Sequence, residues 1–209
     1  MHRVNREIVE YIESNIIPRY NDFDKAHKVD HARKVVDNSI SLANEFNVDI
    51  NMVYVIAAYH DIGLDKGRKD HEKNSAIYLL NDAKLKEWFT DDELKIMADA
   101  VEDHRASNEH EPRSIYGKIV AEADRDIEYT TILTRVILYS LEHYPDYSYE
   151  EHYERTKVHL FEKYGENGYL KLWLDTGVNK ENLDELRKNI KTESKIRDDF
   201  EKLYKIYAE

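Results

Sequence analysis

A histidine and an aspartate stand side by side at His60-Asp61, where the apolar run Met52-Val53-Tyr54-Val55-Ile56-Ala57-Ala58-Tyr59 runs into the breaker Gly63. It is the only His-Asp pair in the chain. An imidazole and a carboxylate adjacent at a helix end can hold one divalent cation, or the carboxylate can bridge two. The pair gains weight from its company: His31 lies upstream, and His71, His104 and Asp124 lie downstream. Apolar spacing places these partners on core-facing sides of helices. His31 keeps step with Val35, Leu42 and Phe46, His104 with Met97 and Val101, and Asp124 with Val120. Ionisable groups on such faces cost free energy unless they are paired or coordinate something. His27, one turn before His31, is placed to support it.

The elements that must position these residues read as helical almost throughout. A first helix is expected over 4–17, stopping at Pro18. Others follow over 27–46, from the N-cap Asp49 to His60, over 71–89, and from the capping box Thr90-Asp91-Asp92-Glu93 to His104. Polar loops fall at 63–69 and 105–113. Ser114 caps a helix through Asp124 that the pattern allows to run on into 132–141. Ser148 caps another that ends at Gly165, and a last long helix spans 182–207. Pro145 is the one seam in what reads as a single domain over 1–209.

Composition sets the limits. The 209 residues are 41% hydrophobic and 35% charged, with only 6 Gly and 3 Pro, which favours an all-α fold over a loop-rich β-sandwich. Cysteine is absent, so thiol catalysis and zinc ribbons are excluded and a metal must be held by His, Asp or Glu. The net charge of −12 argues against general nucleic-acid binding. It leaves a small phosphorylated substrate open, because bound cations dominate the local field of such a site. No apolar run approaches the ~20 residues that span a bilayer, and the opening Met1-His2-Arg3-Val4-Asn5-Arg6-Glu7 lacks an apolar signal region. A cytoplasmic protein without a membrane partner is expected. Many of the 16 Tyr fall after Tyr139, and amphipathic packing accounts for them.

The ordered set resembles the HD-domain superfamily of metal-dependent hydrolases. The resemblance rests on Val29-Asp30-His31-Ala32-Arg33, Tyr59-His60-Asp61-Ile62-Gly63 and Ala123-Asp124-Arg125, within a span of about 21–129. It implies an HD-domain helical bundle, with 145–209 as a helical C-terminal extension. It further implies one divalent ion held by His31, His60, Asp61 and Asp124. In members with two ions, Asp61 bridges to a second held by His71 and His104. The ligand types suit Mn, Fe, Ni, Co, Mg or Zn. The implied activity is phosphohydrolysis of a nucleotide or another small phosphorylated metabolite by metal-activated water. Many relatives carry a Lys directly after the His-Asp-x-Gly, whereas Leu64 stands here. Lys66 and Arg113 are then the cations expected to meet a phosphate, with Arg68, Lys69 and Arg105 as substitutes. Asp30 and Glu72 are candidates to orient a ligand His or move a proton, although both read as exposed helix residues. The same six ligands serve a minority of relatives that activate O2 on paired irons, and a metal-stabilised signalling module is the non-enzymatic alternative. The number of ions and the oligomeric state stay open at this level.

Overall fold

The computed structural model describes residues 3–23, 27–105, 108 and 110–208, and among these the chain is helical with no strand. Ala106, Ser107 and Glu109 of the loop expected at 105–113 lie outside the described residues. The chain divides into two compact units, Met1–Arg125 and Asp126–Glu209. Pro145, the seam read from sequence, therefore falls inside the second unit.

The first unit is built on six helices: α1 (Arg6–Asn15), α2 (Val29–Ala43), α3 (Ile50–Tyr59), α4 (His71–Asn81), α5 (Asp91–Asp103) and α6 (Ile115–Ala123). α3 is apolar on every side, and all of its residues except Asn51 are buried. A helix of that kind belongs at the centre of a core, and α1, α2, α4, α5 and α6 all pack against it. Its start is fixed by Asp49, whose side chain accepts a hydrogen bond from the Asn51 amide. At its end the backbone leaves helical geometry at Asp61 and enters a 3₁₀ turn, Ile62–Lys66. The capping box at Thr90 and Glu93 opens α5 as the sequence requires.

Four expected helices end earlier than their apolar pattern does, α2 among them at Ala43 rather than Phe46. α1 stops at Asn15, and Pro18 takes the start of a 3₁₀ turn, Ile17–Asp22, where its missing amide donor costs nothing. α4 stops at Asn81 because Asp82 is claimed by tertiary hydrogen bonds. The Asp82 carboxylate accepts from the hydroxyls of Tyr11 (2.5 Å) and Tyr59, and from the Lys84 amide (3.0 Å). The following residues form a separate 3₁₀ turn, Ala83–Glu87. α6 ends at Ala123 and does not run on into the next helix.

The second unit holds α7 (Tyr129–His143), α8 (Tyr149–Tyr164), α9 (Val178–Ile190) and α10 (Glu193–Tyr207). The last long helix read from sequence is thus two, broken where Thr192 takes an extended conformation. Leu133, Ile137, Leu160, Leu186 and Phe200 are fully buried at its centre. Tyr149, Tyr153 and Tyr204 surround the Phe200 ring with centroids 5.3–5.4 Å away, so much of the tyrosine excess is packing. No helix among the described residues is long and apolar enough to cross a membrane.

Candidate metal centre

The six His and Asp residues singled out in the sequence converge, and each sits at or near a helix end. His60, His104 and Asp124 are the C-caps of α3, α5 and α6. His71 opens α4, and His31 lies in the first turn of α2. Three helix C-termini therefore meet here, and their partial negative charge favours a cation.

Two groups of ligand atoms can be distinguished: His31, His60 and Asp124, and Asp61, His71 and His104. Within each, the atoms lie no more than 4.8 Å from one another. Asp61 stands between them. Its Oδ2 lies 3.2 Å from His60 Nε2 and 3.6 Å from His31 Nε2. Its Oδ1 lies 3.2 Å from His71 Nε2 and 3.4 Å from His104 Nε2. Asp124 Oδ1 closes the first group at 3.2 Å from His31 Nε2 and 3.8 Å from His60 Nε2.

Backbone carbonyls set the orientation of the rings. His60 Nδ1 donates to the Ala57 carbonyl at 2.7 Å, His104 Nδ1 to Val101 at 2.5 Å, and His71 Nδ1 to Arg68 at 3.0 Å. A carbonyl only accepts, so the proton sits on Nδ1 and the Nε2 lone pair faces the cluster. That is the tautomer a metal ligand needs. His27 stacks edge-on to His31 with centroids 5.6 Å apart, the supporting place expected of it.

The charge state of the cluster follows from this crowding. Burial alone would raise the Asp61 carboxyl, but the imidazoles of His60, His104 and His31 hold it well below the usual carboxylate range. Burial alone would lower His31, yet Asp124 and Asp61 raise it to about 9. His104 is raised in the same way against its burial, chiefly by Asp61. Four imidazoles and two carboxylates so close together fit a site whose negative charge a divalent cation would neutralise.

The surrounding structure fixes the cluster through residues that carry little sequence signal. The Tyr20 hydroxyl donates to the Ala58 carbonyl at 2.9 Å and accepts from the Asp61 amide at 3.3 Å, which pins the end of α3. Nothing in the sequence pointed to Tyr20. The Gly63 amide donates to Ser75 Oγ at 2.9 Å. A Cβ at Gly63 would lie 2.4 Å from the His71 carbonyl oxygen and 2.6 Å from the Ser75 nitrogen. Only glycine lets the turn after Asp61 lie this close to α4.

The expected phosphate-contacting cations are placed differently. Lys66 is exposed, and its ammonium lies 4.6 Å from the centroid of the Tyr78 ring. Arg113 is occupied by carboxylates: Nε donates to Asp103 at 3.0 Å, Nη1 to Asp99 at 3.0 Å and Nη2 to Glu102 at 2.7 Å. Its backbone amide also donates to Asp103 at 2.6 Å. Arg113 thus clamps the end of α5, directly before His104, and is a positioning residue. The Arg113 guanidinium is committed to carboxylates, while Lys66 lies exposed beside Tyr78. Glu72 also departs from expectation. It is buried, accepts from Arg105 Nη1 at 3.0 Å, and lies 3.4 Å from His71 Nδ1. Asp30 is exposed, as read, and His110 lies at the surface.

Residues 29–127 match the HD domain family, so this segment is an HD domain. The chain is similar to a crystal structure described as a predicted HD superfamily hydrolase from an uncultured Thermotogales bacterium. The two share 23% identity over 73% of this chain and 83% of the other, with a TM-score of 0.49. No curated protein matches the chain.

Proposed function

We propose that the protein is a metal-dependent phosphohydrolase acting on a small phosphorylated metabolite, with nucleotides in the substrate class. The observation that carries this reading is the division of the Asp61 carboxylate, one oxygen toward His31 and His60 and the other toward His71 and His104. That geometry suits a pair of divalent ions with Asp61 between them. Such ions polarise phosphoryl oxygens and lower the pKa of water from 15.7 to about 7.

The chain's own residues supply the rest. Nδ1–H donation to backbone carbonyls keeps three ligand rings from rotating. Glu72 links Arg105 to His71, so the Arg105 guanidinium borders the second group and is suited to meet a phosphoryl oxygen. A cavity of about 410 Å³ lined by Asp22, Phe23, Leu64, Asp65, Gly67 and Arg68 adjoins the segment that follows Asp61. The two carboxylates in its wall suit the sugar, base or cation side of a substrate rather than its phosphate, and the Arg68 carbonyl is the one that holds His71. Its size suits a small metabolite.

The test is a turnover screen of the full chain against nucleoside mono-, di- and triphosphates, cyclic dinucleotides and generic phosphoesters, each with Mn, Ni, Co, Mg or Fe supplied. Metal-dependent phosphate release that disappears in His60→Ala is expected. The six-ligand cluster also matches the set used by the oxygen-activating minority of the superfamily. Iron-dependent O2 consumption without phosphate release would therefore replace hydrolysis with that chemistry. Higher thermal stability with metal, but no turnover of any kind, would point to a binding module.

A further inference from the structure

The second unit contains an open cavity of about 460 Å³ between α7 and α8, within the size range of small-molecule sites. Four basic side chains line it: Arg135, Arg155, His159 and Lys163. Its apolar walls come from Ile132, Val136, Tyr139 and Tyr164. None of the lining residues is acidic, in a chain whose net charge is −12. Arg135 also reaches Asp126, at 3.5 Å.

Arg155 is the informative member. Its guanidinium lies 4.9 Å from the centroid of the Tyr139 ring and 4.8 Å from that of Tyr144, so two aromatic rings hold it. Its Nη1 is buried and has no hydrogen-bond partner among the described residues. That nitrogen has no accessible surface, so Arg155 acts on the cavity it lines through its positive charge rather than through Nη1. The His159 imidazole reports the same field. Burial first, and then the charges of Lys163 and Arg155, hold it below its ordinary value.

We propose that this α7–α8 cavity is a binding site for a small organic anion, with a phosphate-like head facing Arg135, Arg155 and Lys163 and an apolar body against Ile132, Val136 and the tyrosines. The site lies wholly within the second unit and stands whether or not the HD domain hydrolyses phosphate. Two observations meet in it: a cavity of suitable volume and a lining of one charge sign, with Arg155 held in place by two aromatic rings.

Isothermal titration of the full chain with phenylphosphonate tests the proposal, because a phosphonate carries the charged head and an aryl body and has no ester to cleave. Inorganic phosphate serves as the head-only probe. Saturable phenylphosphonate binding is expected, tighter than that of phosphate and at least tenfold weaker in Arg155→Gln and in Lys163→Gln. Metal content should be unchanged in both variants. If Arg155→Gln loses its helical signal or its cooperative melt, Lys163→Gln and Arg135→Gln carry the comparison. Absence of saturable binding at millimolar phenylphosphonate would overturn the proposal. So would equal affinity in the folded variants and the wild type, or phosphate binding as tightly as phenylphosphonate.

Discussion

Asp61 faces four imidazole nitrogens with two oxygens, two to each side, in a pocket from which water is largely excluded. Protons and metal ions compete for those nitrogens, and this fixes a pH dependence. His31 is raised to about 9, so its protonated form stabilises the metal-free fold fully below about pH 6.5. That contribution is lost as the pH rises through about 9. A metal ion needs the unprotonated ring, so its affinity runs the opposite way. The melting-temperature gain from added Mn or Zn should therefore grow from pH 6 to pH 8; a gain that shrinks over this range would contradict the assignment. Substrate-contacting cations give a second prediction at this scale. Arg105→Gln should lower kcat/KM by roughly ten- to a hundredfold, whereas Lys66→Gln, which removes only a contact with Tyr78, should leave it within about threefold. Steady-state kinetics on both variants decides between them. The six residues that cluster were legible in the sequence, because they stand at helix register on apolar faces. Lys66 and Arg113 were not, because a long cation takes its partner from tertiary neighbours that spacing does not reveal. Arg113 found three carboxylates and Lys66 an aromatic ring.

Helix ends decide where the six ligands point, so mutations that move an end should act on metal binding without touching a ligand. Gly63→Ala would push the His71 carbonyl and the Ser75 amide away and shift α4. A loss of about 1–3 kcal/mol in denaturant unfolding is expected, together with a fall in bound metal. Unchanged metal content would show that the close approach is dispensable. Asp82→Ala removes the acceptor that joins α1, α3 and the end of α4, and should cost about 2–3 kcal/mol by the same measurement. Here the sequence was informative where the signal is local: the Asp49 cap, the Thr90 box, the Ser148 cap and the apolar run of α3 stand as read. It was silent where a tertiary contact ends a helix. Asp82 stops α4 because two tyrosine hydroxyls from other helices claim it. The break at Thr192 has no Gly or Pro to announce it.

The whole molecule joins an HD domain to a second all-helical unit in one acidic chain. Metal bound to the native state alone adds stability to the unit that holds it, about 2.7 kcal/mol at a free concentration a hundredfold above Kd. Chelation should therefore lower the melting temperature of the wild type by several degrees and leave Asp61→Ala, which loses the carboxylate both groups share, nearly unmoved. An equal shift in both would place the chelator's effect elsewhere. The all-α class could be read from the chain's low Gly and Pro content and its continuous helical periodicity. The boundary at Arg125 could not, since no flexible or low-complexity stretch marks it.

The claim on which the rest depends is that Asp61 stands between two ions. Elemental analysis of metal-loaded protein tests it most directly, on the wild type, His71→Ala, His60→Ala and Asp61→Ala after identical dialysis. Two ions per chain are predicted for the wild type, one for His71→Ala and for His60→Ala, and less than one for Asp61→Ala. Metal content in Asp61→Ala and His60→Ala equal to that of the wild type would contradict the account.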